Sequence, residues 1–129
     1  MQGNQKFYVC KRCGNIADLV NNKHTPLMCC GEKMSELIPN TVEASVEKHL
    51  PAVTNVITDS ISVQIGSTLH PMESGHHIAF VYVESEQGGQ YKYLKVGEEP
   101  KLEFHVSNDK PIAVYAYCNL HGLWKTEIK

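Results

Sequence analysis

Hydrophobic and polar residues alternate along much of the chain beyond residue 40, and this alternation predicts β-strands. The segments 61–65 and 102–106 both show it, with an apolar residue at every second position. A period of two is expected for a strand that buries one face. Residues 77–84 form a nearly continuous apolar run and are also predicted as a strand. No stretch shows a convincing helical stripe, so the sequence predicts a mostly β protein.

Turn signals separate the predicted strands. Gly88-Gly89 predicts a hairpin between the strand at 77–84 and a following strand at 91–94. Residues 107–111 predict another turn. The last long strand places four residues on one face: Ile112, Val114, Ala116 and Cys118. Several short strands, with a turn at about every tenth residue, favour an antiparallel β-sandwich.

Residues 1–37 form a separate unit that holds four of the five cysteines. They occur as Cys10-x-x-Cys13 and as the adjacent pair Cys29-Cys30. A unit this short needs a stabilising cross-link besides its hydrophobic core, and four thiolates bound to one metal ion would provide it. Two disulfides and a structural zinc knuckle are the alternatives, and the spacing alone does not choose between iron and zinc. Residues 38–129 would then be the sandwich domain.

Cys118-x-x-His121, after the last long strand, is a second place suited to a transition metal. A thiolate and an imidazole three residues apart can both coordinate the same metal ion. Further ligands would have to be histidines, and the loops offer four candidates: His49, His70, His76 and His77. Because a sandwich gathers its loops at two ends, several of them can meet there. His76 and His77 cannot both face the same side of a strand, and periodicity does not say which is the ligand.

Composition narrows the class of protein. With 42% hydrophobic and 20% charged residues, the 129-residue chain has the composition of a folded protein, and its net charge of −2 gives no electrostatic reason to bind nucleic acid. No apolar run approaches the roughly 20 residues that span a bilayer, and the N-terminus lacks a signal-peptide pattern. We therefore expect a cytoplasmic protein without membrane contact, whose reduced cysteines serve metal or redox chemistry.

These segments resemble the desulfoferrodoxin family, the two-iron form of superoxide reductase. The resemblance runs over essentially the whole chain, in order and with matching gaps. Five segments carry it: Cys10-x-x-Cys13-Gly14, Cys29-Cys30-Gly31, Glu47-Lys48-His49, His70-Pro71-Met72-x-x-x-His76 and Cys118-Asn119-x-His121-Gly122-x-Trp124. The departure from the family pattern is His77, where an aromatic residue is more familiar.

The resemblance implies two iron sites and a fold. A first iron would be held by four thiolates: Cys10, Cys13, Cys29 and Cys30. A second iron would take equatorial nitrogens from four histidines and an axial thiolate: His49, His70, His76, His121 and Cys118. Lys48 would be the cation beside the open sixth position, and Glu47 the carboxylate that can occupy it in the oxidised state. The implied fold is a desulforedoxin-like module followed by an immunoglobulin-like seven-stranded domain, as a homodimer.

The implied activity is detoxification of superoxide, the substrate, by one-electron reduction to hydrogen peroxide. Electrons would come from an external donor of the rubredoxin type, and zinc in the first site stays open. Two other classes remain as alternatives. One is a blue-copper electron carrier, but no methionine follows His121 to act as its weak axial ligand. The other is a non-enzymatic binding module, in which a zinc knuckle joins a β-sandwich.

Overall fold

The structure, a computed structural model, describes residues 2–128 and is mostly β, as predicted. Its contacts divide the chain into two units. The smaller unit is Asn4–Ile38, and the larger contains residues 39–128 together with residues 2–3. Within residues 2–128, the structure has no helix with the length and apolar character needed to cross a bilayer.

The smaller unit consists of short strands joined by tight turns. Its five strands are β1 (Phe7–Val9), β2 (Ile16–Ala17), β3 (Met28–Cys29), β4 (Glu32–Lys33) and β5 (Ser35–Leu37). β1 lies between β2 and β5 in one antiparallel sheet, and β3 pairs with β4 in another. Gly14 and Gly31, which follow the cysteines, have φ of +85° and +75°, as the turn at each position requires. Phe7, Cys10 and Met34 are the apolar residues buried there, so the core of this unit is very small.

The larger unit is an antiparallel sandwich of three and four strands, as predicted. Its helix and strands are α1 (Val46–His49), β6 (Pro51–Ile57), β7 (Ser60–Ile65), β8 (Ile78–Ser85), β9 (Gly88–Tyr93), β10 (Lys101–His105), β11 (Pro111–Cys118) and β12 (Gly122–Glu127). One sheet has the order β10-β7-β6, and the other has the order β12-β11-β8-β9.

The hydrophobic core lies between these two sheets, and its residues from β7, β10 and β11 follow the predicted alternation. Its largest contributions come from β7, β8, β10 and β11: Ile61, Val63, Ile65, Ile78, Val81, Val83, Phe104, Val114, Ala116 and Cys118. The opposite face of the four-stranded sheet is aromatic, and the ring of Phe80 stacks on that of Tyr117 with centroids 5.7 Å apart. Cys118 therefore projects from β11 into the core and not onto the aromatic face.

Three local features differ from the sequence prediction. The hairpin between β8 and β9 is present, but its turn is at Glu86-Gln87, since Gly88 and Gly89 already pair with β8. α1 is a short helix where the sequence predicted a loop, and it buries His49, which has 2% of its surface exposed. The third feature is an irregularity in the pairing of β8 with β11.

This irregularity is a β-bulge at Ala79. Tyr117 pairs with Phe80, whereas the next residue, Cys118, pairs with Ile78, so Ala79 is an extra residue on β8. A bulge shifts the alternation of side chains by one position. Ile78 is consequently fully buried in the core beside Cys118, although strict alternation from Phe80 would point it outward.

Residues 2–3 add a short extension to the larger unit. The backbone N–H of Gly3 donates to Oε2 of Glu127 at 2.8 Å, and its carbonyl accepts from Nζ of Lys125 at 2.6 Å. A Cβ on Gly3 would lie 2.6 Å from Cβ of Ala113, so this position on the sheet accepts only glycine without displacement.

Candidate metal centres

The four cysteines of the smaller unit lie together. The sulfur atoms of Cys10, Cys13, Cys29 and Cys30 are all within 4.8 Å of one another, and no disulfide joins them. Cys10 is buried, whereas Cys13 and Cys30 are exposed, so the group opens to solvent on one side. Nδ2 of Asn15 lies 3.7 Å from the sulfur of Cys29 and donates to it.

Ionisation of these thiols favours a cation among them. Hydrogen bonds from backbone N–H groups, chiefly that of Cys13, lower the pKa of Cys10 to about 6. Hydrogen bonds from the protonated Cys30 thiol to the sulfurs of Cys13, Cys10 and Cys29 raise the pKa of Cys30 to about 12, because they stabilise its neutral form. The group can therefore become fully ionised near neutral pH only if a metal ion neutralises it, and thiolates suit iron or zinc.

Four histidines come together at one end of the sandwich. His49 ends α1, His70 follows β7, His76 precedes β8, and His121 lies in the turn between β11 and β12. Neighbouring ring centroids are 4.7 Å (His49–His70), 4.6 Å (His70–His76), 5.1 Å (His76–His121) and 4.9 Å (His121–His49) apart. Adjacent rings are close to perpendicular, with interplanar angles between 74° and 89°. The four imidazoles thus stand around a square.

The thiol of Cys118 adjoins this square. Cys118 is fully buried, and its sulfur lies 3.8 Å from Nδ1 of His121. The ligand atoms of Cys118, His49, His70 and His76 are all within 4.8 Å of one another. His121 is outside that tightest group, but its Nδ1 is 3.1 Å from Nε2 of His49. The structure therefore brings together all five residues that the resemblance assigned to the second iron.

Hydrogen bonds outside the square direct nitrogen lone pairs toward its interior. Nδ1 of His49 is 2.6 Å from the carbonyl of Ser45, and Nδ1 of His70 is 2.7 Å from the carbonyl of Pro71. Because a carbonyl only accepts, both Nδ1 atoms carry the proton and both Nε2 atoms present a lone pair. Nε2 of His70 and Nε2 of His76 are buried without a hydrogen-bond partner among the described residues. Such nitrogens are costly unless they bind a cation, so these residues fit a metal ion.

Burial also holds the imidazoles in the neutral form that binds metal. Desolvation lowers the pKa of His70 to about 4 and lowers the pKa of His49 as well. Both histidines are therefore neutral at pH 7, and neither has to lose a proton before it coordinates an ion.

Glu47 and Lys48 lie on the solvent side of α1, next to the buried His49. Both side chains are exposed. The loop after β7 holds their backbone, since the N–H of Thr68 donates to the carbonyl of Glu47 at 3.1 Å. Gly66 of the same loop has φ of +86°, and a Cβ there would lie 2.7 Å from the carbonyl of Lys48. The β7 loop thus fixes the segment that carries the predicted charged pair.

Two supporting residues were not assigned a role from the sequence. Trp124 stacks on His49, and its Nε1 donates to the carbonyl of His121 at 3.1 Å. Ser45 supplies the carbonyl that orients His49. Trp124 ends the last of the five segments that carry the family resemblance, but nothing in the sequence indicated its contact with His49, which lies 75 positions earlier.

Fold and sites together define a β-sandwich metalloprotein with a four-thiolate group in a small N-terminal unit and a histidine–cysteine pocket in the sandwich. The chain belongs to the desulfoferrodoxin family, since the model of that family matches residues 41–127. A desulfoferrodoxin from Nitratidesulfovibrio vulgaris is 36% identical, over 98% of this chain and 99% of that protein. A desulfoferrodoxin homolog from Archaeoglobus fulgidus is 39% identical, over 94% of this chain and 95% of the relative.

Solved structures agree with this membership. The superoxide reductase from Treponema pallidum superposes with a TM-score of 0.80 at 29% identity, covering 97% of this chain and all 100% of that one. The superoxide reductase (1Fe-SOR) from Giardia intestinalis matches with a TM-score of 0.53 at 26% identity, covering 64% of this chain and 98% of its own. The family and fold predicted from the sequence are thus confirmed.

Proposed function

We propose that this protein is a superoxide reductase that reduces superoxide by one electron to hydrogen peroxide. The observation that carries the proposal is the square of four imidazoles beside the buried thiol of Cys118. The structural match to a superoxide reductase over nearly the whole chain supports it. Superoxide takes up one electron and two protons to give hydrogen peroxide. Iron, when bound by His49, His70, His76, His121 and Cys118, supplies that electron.

The protein's own residues would bind and steer the substrate. Four neutral imidazoles and one thiolate contribute a single negative charge, so a ferrous site keeps a net positive charge that attracts an anion. The exposed ammonium of Lys48 adds to this attraction at the solvent side of His49. Lys48 would also orient water for the first protonation, and Glu47 would be the carboxylate that can bind the iron in its oxidised state. Burial of His49 and His70 excludes water from behind the imidazoles.

Electrons would enter from an external carrier of the rubredoxin type. The four-thiolate group has exposed sulfurs at Cys13 and Cys30, which an external donor can approach. The unit from residue 4 to 38 has five basic and three acidic residues, whereas the whole chain is net acidic at −2, so an acidic donor suits this unit. Whether the first metal is iron or zinc decides whether it can relay electrons at all, because zinc has no redox chemistry.

The family resemblance also leads us to propose a location, an oligomeric state and a division into domains. The chain would act as a cytoplasmic homodimer, and the free state of all five cysteines is what a reducing compartment favours. Residues 1–37 and 38–129 would be its two domains. Neither rival class explains the site equally well. A blue-copper centre uses two histidines, one cysteine and a weak axial ligand, and a zinc-knuckle binding module gives no reason for four buried or half-buried imidazoles around one thiol.

Cys118→Ser, compared with the parent protein, tests the proposal. The parent should contain two metal ions per chain and convert superoxide to hydrogen peroxide without releasing oxygen while a reductant is present. The variant should retain one metal ion and the absorption of the four-thiolate group, but lose the second centre's absorption and the activity. A parent protein that loads both sites with iron and consumes no superoxide would refute the proposed activity.

A further inference from the structure

Asn119 connects the two loops that carry half of the histidine square. It lies between Cys118 and His121, in the turn from β11 to β12. Its backbone N–H donates to the carbonyl of His77 at 3.1 Å. Its side chain makes two further bonds: Oδ1 accepts from the backbone N–H of His77 at 2.8 Å, and Nδ2 donates to the carbonyl of Gly75 at 3.1 Å. One residue thus holds the backbone on both sides of His76.

The loop that it holds is closed on itself. Glu73 and His76 exchange two backbone hydrogen bonds, of 2.9 Å and 3.1 Å. The ring of His77 closes the loop further, because its Nδ1 lies 3.0 Å from the carbonyl of Glu73 and must donate to it. His77 departs from the aromatic residue familiar at this position, and here its ring nitrogen fastens the loop. Segment 73–77 is therefore a small hairpin whose only side-chain hydrogen bonds to the β11–β12 turn, among the described residues, are those of Asn119.

We propose that Asn119 is a positioning residue, which sets the distance from the His76 imidazole to the Cys118 thiol and the His121 imidazole. This inference rests on the metal site proposed above, and it concerns how that site is assembled. Cys118 and His121 flank Asn119 in sequence, and Gly75 and His77 flank His76. The amide of Asn119 thereby fixes the relative placement of three of the five metal-binding residues.

The exposure of Asn119 separates this role from a general contribution to folding. Hydrogen bonds of an exposed side chain compete with water and add little to stability. Residues that orient metal ligands, by contrast, commonly change metal affinity by about 10- to 100-fold when they are replaced. Loss of the Asn119 amide should consequently weaken metal binding far more than it weakens the fold.

Cobalt(II) titration of the metal-free, full-length protein tests this assignment through binding alone. Asn119→Ala should raise the dissociation constant of the histidine–cysteine site by about 10- to 100-fold, while that of the four-thiolate group stays unchanged. Asn119→Asp keeps the acceptor for His77 but loses the donor to Gly75, so its dissociation constant should fall between those of the parent and Asn119→Ala. Asn55→Ala, on the exposed part of β6, is the matched control and should bind cobalt as the parent does.

Two results would overturn the assignment. One is a dissociation constant for Asn119→Ala within twofold of the parent at the histidine–cysteine site. The other is an equal loss of affinity at both sites, which would indicate a general effect on the protein. If Asn119→Ala does not fold, Asn119→Asp takes its place, and a dissociation constant at the histidine–cysteine site equal to that of the parent would overturn the assignment. Because the titration does not use superoxide, its outcome is independent of whether the proposed activity is correct.

Discussion

The indole of Trp124 stacks on the imidazole of His49, with ring centroids 4.9 Å apart and planes inclined by 26°. Trp124 is 2% exposed and comes from β12, whereas His49 ends the short helix α1. The indole N–H also donates to the carbonyl of His121. One buried side chain therefore supports two corners of the histidine square, by packing against one ring and by fixing the backbone of the other.

Replacement of Trp124 by phenylalanine should separate these two contributions. Phenylalanine keeps an aromatic ring for His49 but leaves the part-buried His121 carbonyl without its donor and fills less of the buried space of the indole, and together these changes should cost about 1–3 kcal/mol. We expect urea unfolding of the metal-free protein to show a loss in that range, together with weaker cobalt binding at the histidine–cysteine site. Tyr93→Phe is the control, since Tyr93 is 79% exposed and should change stability by less than about 0.5 kcal/mol.

Removal of the Lys48 ammonium should slow the capture of superoxide. At low ionic strength we expect Lys48→Ala to lower the second-order rate constant by about tenfold, because an exposed cation beside the site steers the anion toward it. The difference should shrink as salt is added, since salt screens exposed charges. Pulse radiolysis at several ionic strengths measures both effects.

Lys110→Ala is the matched control for the steering experiment. Lys110 is an exposed cation that directly precedes β11, whereas Cys118 ends that strand, about 25 Å farther along at the usual rise per residue. The control changes net charge by the same amount. Equal slowing in both variants would mean that net charge alone matters and that Lys48 has no special position.

Gly66 should tolerate no side chain. Its φ is +86°, and a Cβ would collide with the backbone carbonyls of Thr68, Lys48 and Glu47. Gly66→Ala should destabilise the protein by about 1–3 kcal/mol or more in urea unfolding, because the strained backbone and the collision both disfavour the native state. Gly75→Ala is the comparison, since a Cβ there meets no atom within 4 Å, and its stability should stay within about 0.5 kcal/mol of the parent.

The metal-free protein should lose stability as the pH falls from about 6.5 to 4. Burial lowers the pKa of His70 from 6.5 to about 4, so in this interval the unfolded chain binds a proton that the folded chain does not. The lowered pKa of His49 acts in the same direction. Urea midpoints measured across this range should therefore fall with the pH, and the protein should be most stable at the upper end of the interval.

Two histidine variants test the origin of this pH dependence. His70→Gln should reduce the slope, because the buried group that resists protonation is gone. His105→Gln should leave the slope as in the parent, since the His105 side chain is 74% exposed. A slope that is the same in His70→Gln and in the parent would contradict the assignment to His70.

The sequence was sufficient for the strand pattern and for the grouping of the four cysteines, but not for the choice between His76 and His77. Periodicity left that choice open for a physical reason. The bulge at Ala79 shifts the alternation of β8 by one position, so that Ile78 faces the core. The ring of His76, two residues before Ile78, lies 4.6 Å from that of His70. A bulge of one residue has no marker in an apolar strand, and only the resemblance pointed to His76.

The burial of His49 was missed for a different reason. α1 has four residues, which is about one turn, and a helix this short has no recognisable apolar stripe. The sequence placed His49 in a loop, whereas the structure buries it under Trp124 and leaves its neighbours Glu47 and Lys48 exposed to solvent. The contacts of Trp124 and Asn119 join distant parts of the chain, and local pattern does not contain them.

The hydrogen bonds of Gly3 affect the choice of variant for removing the first metal site without disturbing the second. The larger unit contains Gly3 as well as the residues from Pro39 onward, so the cysteine unit is joined to it at both ends. A truncated protein that began at Pro39 would strip Glu127 of a donor and Lys125 of an acceptor on the aromatic face. Replacing the four cysteines of the first site by serine would abolish metal binding there and keep the hydrogen bonds of Gly3 to Glu127 and Lys125. Deletion of residues 1–38 would remove the first metal site and these hydrogen bonds together, so the two effects could not be told apart.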